Sequence, residues 1–365
     1  MSDSDQVYRD LQKHLNNQAV GFPATQSGAE LKILKYIFTP QEAKVATCLS
    51  YKFESLEQLY KKAAHLVKSE DELSEILDRI HKKGGIEFKT KDEKKHYCSV
   101  PFIVGMYEYQ IERMTPEFIE DYDAFTKDIN FGIEFLSTEI PQIRTIPIEK
   151  SILIQHNVKD FDAIKPLLTQ AEGPFVIVEC ICRKKSEMQG VPCKVTDRKE
   201  TCLAMDATAE SCLITGKGRR ISREEAIDII DKNQKQGLVL QPSNTEKPEF
   251  ICSCCGCCCG MLHLYKILPN PLDFWASNFH ANVDMNLCNG CGVCVKRCQV
   301  DAIKLSETHQ KVAVDLHRCL GCGVCVPTCP KKAISLQKKK KEITPPKTRE
   351  DLYDFIMAHK KGNKD

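Results

Sequence analysis

A chain of 365 residues with 42% hydrophobic residues is long enough for two or three domains with cores of their own. The 52 Lys and Arg residues nearly balance the 50 Asp and Glu residues, so a formal charge of +2 excludes a global field that would draw the chain onto nucleic acid or an anionic membrane. The 21 cysteines are the unusual feature, and 14 of them fall between Cys252 and Cys329.

The N-terminal segment, residues 1–30, is polar and weakly patterned, with one short helix predicted at Gln6–Leu15. It lacks the apolar core of a signal peptide, and no stretch of the chain approaches the length of a membrane span. Thiol-rich proteins that are not exported stay in a reducing compartment, where their cysteines act as metal ligands. We therefore expect a cytoplasmic protein of an anaerobic or microaerobic prokaryote.

Residues 31–100 carry clear helix and hairpin signals. Ser55 and Ser69 each precede a Gln or Glu by three residues, which is the pattern of a capping box. Gly84-Gly85 ends the last helix before two short β segments. The predicted elements are helices at 41–49, 56–67 and 70–83 and strands at 86–90 and 96–100. Three helices and a hairpin in this order resemble a winged-helix domain.

In a winged-helix domain that reads DNA, the third helix enters the major groove. Here that helix is acidic, and phosphate would repel it, because neutralisation of phosphate supplies much of the affinity for DNA. Its acids are Glu70, Asp71, Glu72, Glu75 and Asp78, against the bases Arg79, Lys82 and Lys83. We therefore expect a structural or protein-docking module and do not expect nucleic acid as a partner. A DNA reader is the alternative.

The middle region, residues 101–281, mixes predicted helices and strands, so we predict a multidomain α+β protein with a cysteine-rich α+β middle region. Its elements are a helical, aromatic-rich stretch at 101–128, strands at 145–148, 175–178 and 238–240, and helices at 161–169 and 223–236. The last segment, 338–365, is a basic linker and a helix that docks on the protein or contacts a partner subunit. The apolar face of that helix holds Leu352, Phe355, Ile356 and His359.

Ten cysteines of the middle region are candidate metal ligands. They are Cys180, Cys182, Cys193 and Cys202, followed by the dense run Cys252, Cys254, Cys255, Cys257, Cys258 and Cys259. Six thiols within eight residues cannot all face one small ion. We expect at least one iron–sulfur cluster here, in addition to those on the cysteine runs that follow in the chain. Zinc and a thiol redox or assembly role are the alternatives. The lone cysteines Cys48, Cys98 and Cys212 are expected to be small buried hydrophobes.

Two longer runs end the cysteine-rich part: Cys288-x2-Cys291-x2-Cys294-x3-Cys298 and Cys319-x2-Cys322-x2-Cys325-x3-Cys329-Pro330. Residues 285–305 match residues 316–336 at 11 of 21 positions, at an offset of 31, which identifies an internal repeat. The spacing is that of bacterial iron–sulfur runs. Zinc sites usually use two separated cysteine pairs, and disulfide frameworks belong to secreted chains, so both fit this pattern poorly.

The repeat resembles the two-[4Fe–4S] bacterial-type ferredoxin domain over residues 282–337. In that arrangement three thiolates of each run hold one cluster and the fourth crosses to the other cluster. The resemblance implies a first cluster on Cys288, Cys291, Cys294 and Cys329 and a second on Cys319, Cys322, Cys325 and Cys298. Gln299 stands where the first run would normally carry Pro, and all the thiolates are intact.

Most of the chain is similar to a family of multidomain ferredoxin-containing proteins of anaerobic bacteria, on the segments "CICR", "GKGRRISREEAIDII" and "FICSCCGCCCG". No flavin, nicotinamide or phosphate-binding motif accompanies them. We therefore expect an electron-transfer protein that relays low-potential electrons between a redox protein donor and an acceptor. The alternatives are an oxidoreductase with a catalytic cluster near Cys252–Cys259 and an iron–sulfur-sensing transcription regulator.

Overall fold

The computed structural model describes residues 3–153, 156–306 and 310–360. The chain forms two compact units. Unit 1 contains the chain up to Glu139, Asp206–Arg219 and the segment from Tyr353, and unit 2 contains Ile140–Met205 and Arg220–Leu352. Within the described ranges, no helix is both long and apolar enough to cross a membrane.

Helices and strands are mixed along the chain, as predicted for an α+β protein. The α-helices are α1 (Asp3–Asn16), α2 (Ala29–Ile37), α3 (Pro40–Ala46), α4 (Leu56–Ala63), α5 (Glu70–Lys82), α6 (Pro116–Thr126), α7 (Ile129–Leu136), α8 (Ile164–Gln170), α9 (Ile181–Met188), α10 (Asp206–Ile214), α11 (Arg223–Gln236), α12 (Gly260–Ile267), α13 (Val293–Arg297) and α14 (Arg349–His359). The strands are β1 (Glu54–Ser55), β2 (Ile86–Lys91), β3 (Lys94–Ser99), β4 (Phe175–Glu179), β5 (Glu200–Met205), β6 (Arg219–Ile221), β7 (Val239–Pro242), β8 (Phe250–Cys254), β9 (Phe279–Val283), β10 (Ile303–Leu305), β11 (Val312–Val314) and β12 (Ile334–Lys338).

The helices and hairpin predicted for residues 31–100 lie in unit 1 as α3, α4, α5, β2 and β3. The capping box at Ser55 closes in both directions with Gln58. At Ser69 only half of the predicted box forms, because the Glu72 carboxylate accepts instead from the Lys68 amide at 2.6 Å. The strand β1 was not predicted. It pairs with β3 and makes a three-stranded antiparallel sheet in the order β1-β3-β2.

The first and last helices both contribute buried residues to unit 1. The Leu11 side chain of α1 is fully buried, and the Tyr8 hydroxyl donates to the Phe38 carbonyl at 2.9 Å. In α14, Ile356 is buried, and Tyr51 donates to Asp354 at 2.6 Å. This is the docked arrangement, one of the two that we expected for the last helix.

The buried face of α14 differs from the predicted one. The predicted residues Leu352 and Ile356 are buried, and Tyr353 lies beside them. Phe355 and His359 stack on each other at 4.1 Å between ring centroids, and both are exposed. The prediction was wrong for these two residues, because the buried side of the Leu352–Ile356 stripe is the side that carries Tyr353, and Phe355 and His359 flank the stripe on its exposed side.

Unit 2 is built on a five-stranded sheet in the order β6-β4-β5-β8-β7. One face of this sheet packs against α8 and α11, with Ile177, Leu203 and Ile251 in the core. The strand predicted at Thr145–Ile148 is not a regular strand, since this segment makes only isolated bridges, such as Ile146 with Leu240. The other face of the sheet carries cysteines.

A buried ion pair fixes the extended segment that contains Arg144. The Arg144 guanidinium donates to the Asp162 carboxylate at 2.6 Å, and both side chains are almost fully buried. Asn278 donates to the second oxygen of Asp162 at 2.7 Å. Because these charges are shielded from water, the loss of one partner would leave the other uncompensated.

Candidate iron–sulfur and metal centres

The two C-terminal cysteine runs lie on two copies of one small fold. After the first run, Ile303 of β10 pairs with Val314 of β11. After the second run, Ile334 of β12 pairs with Val283 of β9. Ile303 corresponds to Ile334, and Val283 to Val314, at the offset of 31 residues found in the sequence, so the two strand pairs are equivalent. The sequence repeat is therefore also a structural repeat.

Glycines let the chain turn tightly between the thiols of each run. Gly290 and Gly321 have φ values of 70° and 66°, in the left-handed region that favours glycine. A Cβ on Gly290 would lie 1.9 Å from the Gln310 carbonyl oxygen, and one on Gly321 would lie 2.1 Å from that of Phe279. Both positions therefore require glycine for close backbone packing.

The thiols of the two runs are interleaved. Burial, together with the nearby sulfurs of Cys298 and Cys319, raises the pKa of the Cys322 thiol to about 12. Burial and the nearby Cys329 and Cys291 also raise the pKa of the Cys294 thiol. Cys298, the fourth cysteine of the first run, thus lies near Cys322 of the second run, and Cys329, the fourth of the second run, lies near Cys294 of the first.

Backbone amides point at the sulfurs in equivalent positions. The Ala302 amide donates to Cys298 Sγ and the Ala333 amide donates to Cys329 Sγ, each at 3.3 Å. The Ala281 amide donates to Cys319 Sγ at 3.2 Å. Such donors stabilise negative charge on sulfur, so the donor set fits thiolate-bound iron–sulfur clusters.

Strand pairing explains why cysteines of the middle region converge. Leu203 of β5 pairs with Ile251 of β8, and both side chains pack in the core. Because successive side chains of a strand point to opposite faces, the neighbouring Cys202 and Cys252 project from the other face. Cys254 lies two residues after Cys252 and shares that face.

The other middle-region thiols come from the segments that follow these strands. Cys180 is the N-cap of α9, and Cys182 lies in its first turn. Cys259 is the N-cap of α12. Cys255, Cys257 and Cys258 lie in the turn between β8 and α12, and Cys193 lies in the loop after α9.

Four of these thiols form a compact set, here called the four-thiol group: Cys193, Cys255, Cys257 and Cys258. The four sulfurs all lie within 4.8 Å of one another. Cys193 Sγ is 3.6 Å from Cys255 Sγ and 3.7 Å from Cys257 Sγ. A tetrahedral ion with bonds of about 2.3 Å separates its sulfur ligands by about 3.8 Å, so the group fits a single metal ion.

The remaining six thiols form a closed ring, here called the six-thiol ring: Cys180, Cys182, Cys202, Cys252, Cys254 and Cys259. Side-chain interactions join Cys180 to Cys182 and Cys202, and Cys202 in turn to Cys252. Cys254 joins Cys252 to Cys259, and Cys259 returns to Cys182. The ring combines sheet positions with helix starts, which explains why spacing along the chain did not reveal it.

One thiol in each group is predisposed to lose its proton. Hydrogen bonds from Cys182 and Cys254, with the α12 amides of Leu262 and Met261, hold the pKa of Cys259 well below its usual range despite burial. Burial would raise the pKa of Cys193, but the Val195 and Thr196 amides, among other donors, lower it to about 7. Thiolates are the form that binds metals.

A buried cation accompanies both groups. Arg183 is 6% exposed and donates to the Ser253 carbonyl at 2.8 Å and to the Thr201 hydroxyl. Burial alone would lower the pKa of Arg183, but negative charge on Cys180 and Cys202 keeps it above its usual range. The described residues give this guanidinium no carboxylate partner, so the sulfur centres are its counter-charge.

Gln299, the residue that departs from the ferredoxin pattern, joins the C-terminal runs to the four-thiol group. Its side-chain oxygen accepts from the Gly256 amide at 2.8 Å. A Cβ on Gly256 would lie 2.1 Å from the Gln299 carbonyl oxygen, so the two segments are in direct backbone contact. Gly256 lies between two ligand candidates, Cys255 and Cys257, and Gln299 directly follows Cys298.

Every middle-region cysteine that we predicted as a ligand lies in one of the two groups. The division of the ten into four and six was not predicted, because it depends on strand pairing. Of the three lone cysteines, Cys98 and Cys212 are buried and Cys48 is half-buried. Burial raises the pKa of Cys212 to about 12, which agrees with a small hydrophobe that remains a thiol.

Comparison with known protein families finds a match to the 4Fe-4S dicluster domain over residues 287–333. The match includes all eight cysteines of the two C-terminal runs. It shows a ferredoxin-type domain with [4Fe–4S] clusters in this part of the chain. A comparison with curated proteins finds no significant match.

Proposed function

We propose that this protein transfers low-potential electrons between redox proteins through its iron–sulfur clusters. The observation that carries the proposal is the contact between Gln299 and Gly256, which joins the dicluster domain to the four-thiol group. Electron transfer falls steeply with distance, so centres on neighbouring residues form an efficient path. We place the protein in the cytoplasm of an anaerobic organism because iron–sulfur centres of this kind persist under reducing conditions.

The interleaved thiols support crossed ligand sets in the dicluster domain. Each run supplies three thiolates to one cluster and its fourth to the other. The first cluster is held by Cys288, Cys291, Cys294 and Cys329, and the second by Cys319, Cys322, Cys325 and Cys298. The second cluster is therefore the one closest in the chain to Gln299, and electrons leave the domain on that side.

The middle-region cysteines add at least one further metal centre. The four-thiol group is the compact one, and its metal is iron if it takes part in the path or zinc if it is structural. The thiols of Cys255 and Cys258 are buried. This burial favours a relay over a cluster that faces a substrate, so the relay is preferred to the oxidoreductase alternative.

The winged-helix-like part of unit 1 serves in this proposal as a protein-docking module. Three of its basic residues are paired with acids: Lys95 pairs with Asp78 at 2.7 Å, and Lys83 and Arg79 both face Glu42. Glu70, Asp71 and Glu75 remain exposed on α5. An acidic surface of this kind suits a basic redox partner and repels phosphate.

Anaerobic purification tests the proposal. The full-length protein, reconstituted with iron and sulfide, should hold about eight irons or more, from two four-iron clusters. Its visible charge-transfer absorption should bleach on reduction by dithionite and return on oxidation. Cys212→Ala is the control and should not change either result. A reconstituted protein with no acid-labile sulfide, or with clusters that do not reduce, would contradict the proposal.

A further inference from the structure

We propose that the six-thiol ring holds a polynuclear iron–sulfur cluster of its own, with all six thiolates as ligands and separate from the four-thiol group. The inference deepens the proposed function and rests on it for the role of the cluster as the end of the electron path. The ring is formed by Cys180, Cys182, Cys202, Cys252, Cys254 and Cys259.

The width of the ring excludes a single ion. In the part of the chain that the structure describes, the four-thiol group is the set whose ligand atoms all lie within 4.8 Å of one another, and the ring is not such a set. Ligands of one tetrahedral ion would be separated by about 3.8 Å in every direction. Each ring thiol contacts its two neighbours, but thiols on opposite sides of the ring lie farther apart. This arrangement suits a cluster of several metal ions and not a single ion.

The number of thiols exceeds the requirement of one cubane. A [4Fe–4S] cluster takes four cysteines, one on each iron. Six convergent thiols would leave two unused, on a sheet face where Cys202, Cys252 and Cys254 already point the same way. None of the six is joined in a disulfide. A cluster with six thiolate ligands uses every one of them.

Arg183 provides an independent observation. Its guanidinium is buried, its Nε has no hydrogen-bond partner among the described residues, and its other donors meet a neutral hydroxyl, a carbonyl and the Cys193 thiol. A buried charge without compensation is costly. A thiolate-rich cluster is anionic, so it would supply the counter-charge and an acceptor for the free donor.

The ring also lies at the right place to end the path. Cys254 of the ring directly precedes Cys255 of the four-thiol group in the sequence, and Cys259 of the ring directly follows Cys258 of that group. Electrons that pass from the second cluster through Gln299 and Gly256 to the four-thiol group therefore reach the ring in one further step. On binding, each thiol releases its proton to solvent and becomes a thiolate.

The wild-type iron content gives the first test. Two cubanes and a single ion account for about nine irons. We expect the full-length protein, reconstituted anaerobically with iron and sulfide, to exceed that number and to show a ⁵⁷Fe Mössbauer component that is neither cubane nor mononuclear. A plateau at or below about nine irons would overturn the inference without any variant.

Single substitutions give the second test. Each of the six ring cysteines, changed to Ala in turn, should remove the same spectroscopic component and leave the two cubanes of the dicluster domain. Cys193→Ala, which alters the four-thiol group, should preserve that component, and Cys212→Ala should preserve every signal. Cys→Ser variants repeat the series with a smaller change in volume, so that a folding defect in one variant does not decide the result.

Two outcomes would overturn the six-ligand assignment. If only four of the six substitutions remove the component, the ring holds a cubane with two spare thiols. If the ring cysteines are recovered as disulfides, with a mass lower by two hydrogens for each pair, the ring is a thiol redox site. Failure of the proposed function would be distinct, since it would appear as loss of iron and reducibility from the dicluster domain itself.

Discussion

The thiol of Cys298 lies beside that of Cys322, although Cys298 belongs to the first cysteine run and Cys322 to the second. The equivalent cysteine of the second run, Cys329, lies beside Cys294 of the first run. Each cluster of the dicluster domain would therefore depend on both halves of the repeat. Loss of the fourth thiol of one run should therefore disrupt the cluster of the other run.

Cys298→Ala should damage the cluster built on Cys319, Cys322 and Cys325, because it removes the fourth ligand of that cluster. The cluster on Cys288, Cys291 and Cys294 should survive, since its own fourth ligand, Cys329, is retained. Low-temperature electron paramagnetic resonance of the reduced protein should show one perturbed and one preserved [4Fe–4S] signal.

Cys329→Ala is the matched variant and should exchange the two signals. If Cys298→Ala instead disrupts the cluster on Cys288, Cys291 and Cys294, the ligands do not cross and the dicluster assignment of the fourth cysteines is wrong.

Gln299→Leu should slow electron transfer out of the dicluster domain while it leaves both cubanes in place. The change removes the acceptor for the Gly256 amide and leaves a buried N–H unpaired, at a cost of about 1–3 kcal/mol. Stopped-flow absorption should show normal reduction of the C-terminal clusters and delayed reduction of the middle-region centre. Gln337→Leu, on the half-exposed β12, is the control. Equal rates in wild type and Gln299→Leu would contradict the proposed path.

The full-length protein should not bind duplex DNA specifically at physiological salt, because acids exposed on α5 would repel phosphate and the nearby bases Arg79, Lys83 and Lys95 are paired with acids. Selection from random duplexes, followed by a salt titration of the affinity, checks this. Recovery of a defined site with a steep salt dependence would favour the transcription regulator instead.

Asp162→Ala should strongly destabilise unit 2, by about 3–5 kcal/mol, because Arg144 would remain buried without its counter-charge. Lys61→Ala removes an ion pair with Glu57 that is exposed on α4, and it should have no measurable effect. Chemical unfolding under anaerobic conditions compares the two variants. Similar midpoints for both would show that burial of the Arg144 pair is not what stabilises this segment.

Acid should destabilise unit 1 through His81. Burial, with the charge of Lys217, lowers the pKa of His81 from 6.5 to about 4, although Glu87 and Asp78 act in the opposite sense and Lys95 adds to the lowering. The unfolded chain then binds a proton that the folded chain does not, so stability falls as the pH decreases from about 6.5 to about 4. The loss should approach about 3 kcal/mol.

His81→Gln isolates this effect, because acid acts on the cysteine ligands equally in both proteins. Glutamine retains a donor for the Ser211 hydroxyl, which lies 3.0 Å from His81 Nε2. Thermal unfolding between pH 6.5 and 4 should show a shallower decline in the variant. Parallel curves would mean that His81 is protonated in the folded protein at higher pH.

Features encoded locally in the sequence were predictable. The spacing of the C-terminal cysteines predicts the dicluster domain that the family comparison identifies. Helix α11 also lies at the predicted residues, between its N-cap Ser222 and its C-cap Gly237. Features that depend on pairing of distant segments were not. Strand β1 has two residues and no pattern of its own, and the division of ten thiols into two groups follows from the register of β5 and β8.

Gln299 combines a departure that is visible in the sequence with a contact that the sequence does not predict. In the sequence it was only a departure from Pro, with no consequence for ligation. Its function as an acceptor for Gly256 requires two segments 43 residues apart to be in contact. Neither segment carries a signal for that contact, apart from the absence of a side chain at Gly256.

The reversible uptake of electrons tests the central claim most directly. The anaerobic full-length protein, titrated with a reduced viologen and followed by its visible absorption, should accept at least about two electrons, one for each [4Fe–4S] cluster, and return them to an oxidised viologen of higher potential. Cys298→Ala should accept fewer. A protein that accepts no electrons while it retains its full content of iron and sulfide would contradict the assignment as an electron-transfer protein.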